Sequence, residues 1–116
     1  MKNIPSTNQG KLCDHGPEPF VLDLACATNI NQNFRTALWT GEHMQLTLMC
    51  IPACGDIGLE FHRDVDQFIC IKRGRAKVLM GTCPNNLQIH SCANEDYAIF
   101  IPAGTWHNIV NVGSCP

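Results

Sequence analysis

The apolar residues of this chain come in short runs, and each run stops at a residue that favours a turn. The runs cover residues 20–24, 36–40, 44–51, 57–62, 67–72, 77–80, 97–101 and 107–112, with Gly41, Pro52, Gly74, Gly81 and Pro102 among the breaks between them. They are rich in Val, Ile, Leu, Phe and Thr, residues that suit a pleated, half-buried surface. The three-and-four spacing that marks an amphipathic helix is hard to find. Residues 25–34 are the one helix candidate, weakened by their asparagines. The pattern predicts an all-β chain, with many short antiparallel strands in a sandwich or barrel. Residues 1–19, polar and rich in Pro, Gly and Asn, read as an arm ahead of a single domain over residues 20–116.

Size and charge narrow the possible partners. A chain of 116 residues fits one domain, and 45% apolar content makes it globular. A formal charge of -2 is too mild to point to nucleic acid or an anionic membrane. No apolar run approaches the roughly 18 residues that span a bilayer. The first ten residues hold no apolar leader, so the expected location is the cytoplasm. Eight cysteines form no Cys-x-x-Cys pair. Reduced thiols are expected in that compartment, with Cys50 and Cys70 acting as small hydrophobes inside strands.

The chemistry concentrates in two segments. If residues 57–62 form a strand, side chains alternate between its faces, so Glu60 and His62 project together while Phe61 points away. A carboxylate and an imidazole on one face make two legs of a metal site. After the polar turn 63–66, Gln67 opens a new strand on the face it shares with Ile69 and Ile71. Its carbonyl oxygen is a weak neutral ligand, or alternatively its amide orients a ligand from outside the coordination sphere. Further on, Pro102 and Gly104 shape a tight turn that delivers His107 to the start of another strand. If that strand lies across from Glu60 and His62, four groups converge. His15, His43 and His90 read as surface residues, and Trp39 and Trp106 as core. Asp64 and Asp66 read as turn residues, and Lys72, Arg73, Arg75 and Lys77 as a solvated hairpin end.

These residues resemble the two motifs of the cupin superfamily. The first motif is Gly, five residues, His-x-His, a short gap, Glu, six residues, Gly. Here Glu60-Phe61-His62 is followed by Gln67 and then Gly74. The second is Gly, five residues, Pro-x-Gly, two residues, His, three residues, Asn. Here it reads Pro102-Ala103-Gly104, His107 and Asn111, with Asp96 in place of the leading Gly. The likeness covers most of residues 44–112. It implies a small antiparallel barrel of the double-stranded β-helix, or jelly-roll, type, as in small single-domain cupins. It also implies one divalent transition metal (Mn, Fe, Ni, Co or Zn) held by Glu60, His62, Gln67 and His107. The usual first His is Glu60 and the usual Glu is Gln67, so the carboxylate has moved rather than vanished.

Three functions follow from that resemblance. The first is a metal-dependent enzyme on a small molecule, similar to sugar-phosphate isomerases, with Glu60 as its base. The second is a metal-dependent dioxygenase or oxidoreductase, and the third a non-catalytic module for a small ligand or metal. An uncovered edge strand invites pairing between copies, so a homodimer is expected.

Overall fold

The computed structural model describes residues 12–116. They belong to two compact units, the first running to Cys50 and the second from Ile51 to Pro116. The described chain is mostly β, with one short helix and every strand pair antiparallel.

The first unit holds helix α1 (Leu24–Ile30) and strands β1 (Arg35–Thr40) and β2 (Gln45–Met49). Residues 20–24, expected as a strand, pair with no strand among the described residues, and α1 starts at their last residue. The reason is local: the Asp23 carboxylate accepts the Cys26 amide at 3.0 Å and caps a Leu-Ala-Cys-Ala segment. The helix ends sooner than the expected 25–34. Buried Asn31 bonds to Asn33 and accepts the Thr36 hydroxyl at 2.9 Å, which turns the chain into β1. The β1–β2 register shifts between Ala37 and Trp39, leaving Leu38 as an extra residue in the ladder. Leu38 is fully buried with Ala27 and Leu48, and Leu12, Phe20, Leu22 and Leu46 pack around them. Residues 12–19, the end of the expected arm, are tied to this unit. Trp39 donates its indole N–H to the Glu18 carbonyl, and the His15 amide donates to the Leu38 carbonyl.

The second unit holds β3 (Gln67–Cys70), β4 (Ala76–Gly81), β5 (Gln88–Ala93), β6 (Ala98–Ile101) and β7 (Trp106–Asn111). β4 lies between β5 and β7, while β3 and β6 form a separate pair. Alternation along β3 and β6 sorts the two faces: Ile69, Ile99 and Ile101 point to the core, whereas Phe68 and Phe100 meet ring to ring on the exposed side. The core combines Ala76, Val78, Ala93, Ile99, Ile101 and Ile109. β5 was not expected, because Gln88-Ile89-His90-Ser91-Cys92-Ala93 looks polar. It is an outer strand paired on one side to β4, and Ala93 is its buried contribution to the core.

The expected strand over residues 57–62 is corrected. That segment touches β7 at two isolated bridges, Asp56 to Val110 and Glu60 to His107. Four residues' advance on one side meets three on the other, so one residue bulges out and the ladder breaks. The bulge lies at Gly58 (φ +89°), whose amide is accepted by the Asp56 carboxylate at 2.7 Å.

Cys54 precedes this segment with φ +65°, a left-handed conformation that a side chain disfavours by about 1–2 kcal/mol. Cys54→Gly is therefore expected to raise stability by about 0.5–1 kcal/mol in urea unfolding followed by circular dichroism.

Candidate metal centre

His107 is the anchor of the site. It is fully buried on β7, on the same side as Ile109. Its backbone exchanges both hydrogen bonds with Glu60, at 2.9 and 3.0 Å, and this pairing sets the two side chains together. His107 Nε2 lies 3.3 Å from Glu60 Oε1, and His62 Nε2 lies 3.8 Å from the same oxygen. The ligand atoms of Glu60, His62 and His107 all fall within 4.8 Å of one another, close enough to hold a metal ion. Exposure is graded across the group: the side chains of His107, Glu60 and His62 are 0%, 19% and 43% exposed. The group is open at His62 and closed at His107.

The tautomer of His107 sharpens this picture. Its Nδ1 is 3.2 Å from the Thr105 carbonyl, and a carbonyl only accepts, so Nδ1 carries the proton. In the neutral ring Nε2 then presents a lone pair to the Glu60 carboxylate, which is also an acceptor. Two acceptor atoms at 3.3 Å are placed as two ligands of one metal ion would be.

Gln67 opens β3 opposite Ile101, so it shares the core-facing side of the ladder. Its Oε1 is buried without a hydrogen-bond partner. A buried amide oxygen left unpaired costs about 1–3 kcal/mol. That oxygen is available as a neutral ligand, and an amide that donates to a ligand through Nε2 would leave Oε1 in the same state.

Other residues hold the two motif segments in register. The Gly104 amide, in a left-handed turn at φ +80°, donates to the His62 carbonyl at 2.7 Å. Asp66, read from sequence as a simple turn residue, accepts the Ala103 amide at 2.9 Å. Sequence reasoning missed both roles, since they depend on backbone groups that carry no residue signature. Trp106 stacks on Phe61 at 4.7 Å. His43 is exposed beside Glu42, as expected. His15 is not simply a surface residue, because its ring lies flat on Phe20 at 4.1 Å. Lys72, of the basic hairpin end, pairs with Asp96 at 3.3 Å.

No protein-family model matches the chain. The crystal structure of BH2720 from Bacillus halodurans superposes with a TM-score of 0.88 at 50% identity, covering 90% of this chain and 80% of that one. The chain belongs to one family with BH2720. Among curated proteins it is similar to the uncharacterized YrkC of Bacillus subtilis, 50% identical over 105 residues, which is 90% of this chain and 56% of YrkC. It is also similar to the uncharacterized L612 of Acanthamoeba polyphaga mimivirus, 38% identical over 92 residues, or 79% of this chain and 56% of L612. The chain thus spans about half the length of the curated relatives it matches.

In this BH2720-family chain, Asn111 is a clamp for the segments around it. Its amide donates to the Ile51 and Cys115 carbonyls at 2.9 and 2.8 Å, and its oxygen accepts the Gly113 amide at 2.8 Å. Three bonds at a buried position are lost together in Asn111→Ala. The variant is expected to lose about 2–4 kcal/mol in denaturant unfolding.

Proposed function

We propose that this chain is a metal-binding cupin that acts as a metal-dependent enzyme on a small molecule. The observation that carries the reading is the Glu60–His62–His107 group, three ligand atoms within 4.8 Å with their buried member presenting Nε2 to a carboxylate. The orphaned Gln67 Oε1 supports a fourth ligand. The donor set is two imidazoles, one carboxylate and one neutral amide, which suits a first-row divalent ion.

The backbone supports the cupin reading independently. The glycine positions of the two motifs fall at residues 54, 74, 96 and 104. All four have positive φ here, at +65°, +98°, +67° and +80°, although two of them are Cys54 and Asp96. The left-handed turns that glycine serves in those motifs are thus present whatever the side chain. Closure of the sheets into a jelly-roll barrel is part of this proposal.

A bound ion would act as a Lewis acid, polarising an oxygen of the substrate. Glu60, His62, Gln67 and His107 would hold it. The exposed edge of His62 leaves a side for a small molecule to approach. Glu60 Oε1 lies within 3.8 Å of both imidazoles, and the isomerase-like chemistry assigns proton transfer to the Glu60 carboxylate. Thr105 keeps the His107 ring in one orientation and one tautomer throughout.

Elemental mass spectrometry of the purified protein tests the reading. The expected result is about one transition-metal ion per chain, lost in His107→Ala and His62→Ala, with about tenfold weaker affinity in Gln67→Leu. Zinc would direct the search to isomerase-like substrates and iron to oxygen chemistry. A parent protein that takes up no metal after incubation with Mn, Fe, Co, Ni and Zn refutes the proposal.

A further inference from the structure

A second chemical group lies in the first unit, on residues that the metal centre does not use. Cys13 Sγ is 3.6 Å from His15 Nε2, a thiol against a ring nitrogen. The pair is held in place from several directions. The His15 ring stacks on Phe20 at 4.1 Å with the planes 7° apart, and the His15 amide donates to the carbonyl of buried Leu38 at 2.8 Å. Asp14, between the two, turns its carboxylate to the Thr40 hydroxyl, the Thr40 amide and the Gly16 amide. The Thr40 hydroxyl bond, with those amides and the nearby His15, holds the Asp14 carboxyl below the usual carboxylate range. Asp14 thereby pins the backbone between the thiol and the imidazole. Cys13 itself is exposed.

A thiol within reach of an imidazole that is oriented by a third group is the arrangement of an activated sulfur nucleophile. Two other exposed cysteines offer a contrast: the sulfurs of Cys83 and Cys115 lie against the neighbouring hydroxyls of Thr82 and Ser114. We propose that Cys13 is a site of thiol–disulfide exchange, with His15 as its base and small disulfides as its reactants. His15 Nε2 takes the thiol proton, and the Cys13 sulfur attacks one sulfur of the disulfide. A new S–S bond forms as the old one breaks, and the departing thiolate leaves with the electron pair and takes up the proton. One thiol and one disulfide enter, and one mixed disulfide and one thiol leave.

The test incubates the full chain with glutathione disulfide and follows each cysteine by peptide mass spectrometry. Cys13 is expected to form its mixed disulfide at least about tenfold faster than Cys83 and Cys115 at neutral pH. His15→Phe keeps a ring on Phe20 but removes the base, and is expected to bring Cys13 down to the rate of Cys83. A parent protein in which Cys13 reacts no faster than Cys83 and Cys115 overturns the proposal, whether or not the variant folds. So does a folded His15→Phe protein in which Cys13 keeps its parent rate.

Discussion

The paired backbone hydrogen bonds between Glu60 and His107 are what the second unit's chemistry depends on. They tie two segments nearly fifty residues apart into one bridge, and both side chains leave that bridge on the same side. Without it, a carboxylate and a buried imidazole would have no reason to meet. With it, they meet at 3.3 Å, and the Thr105 carbonyl decides which ring nitrogen faces the carboxylate. A fully buried histidine opposite an acceptor is unfavourable unless a cation joins them. The Glu60–His62–His107 group could hold a metal ion, and metal binding there would add directly to the stability of the folded state.

Regular strand structure would not have produced this arrangement as it stands. The extra residue at Gly58 interrupts the ladder between the two bridges and re-aims the chain before Glu60. Beyond Glu60, the Gly104 amide holds His62 by its carbonyl, and Asp66 holds the neighbouring Ala103 amide. The turn that delivers His107 is therefore bonded to the segment that carries the other ligands. Side chains at such a site are positioned by backbone contacts on several sides, which is the rigidity a metal centre needs.

The first unit follows a different logic. Its core is small, built on Ala27, Leu38 and Leu48, and a bulge at Leu38 buries that side chain. The same residue's carbonyl accepts the His15 amide, which connects the packing of the sheet to the placing of a thiol–imidazole pair. The two chemical groups of the molecule thus rest on separate cores and separate irregularities of the backbone.

Much of this was legible in residue order. The short apolar runs between turn formers located β1, β2, β3, β4, β6 and β7 to within a few residues, because burial on one face and a breaker at each end are local demands. The spacing of Glu60, His62 and His107 pointed to a shared site, which the structure brings together within 4.8 Å. Local pattern failed where pairing decides the outcome. β5 is a strand because β4 lies beside it. Segment 57–62 departs from a strand because its partner β7 has one residue fewer between the bridges. The sequence by itself determined which groups were available and roughly where chains would extend and turn. Only the tertiary structure decided that His107 is fully buried, that its Nε2 faces Glu60, and that Gln67 Oε1 is left without a partner. Those facts depend on contacts between residues far apart in the chain, and no local propensity encodes them.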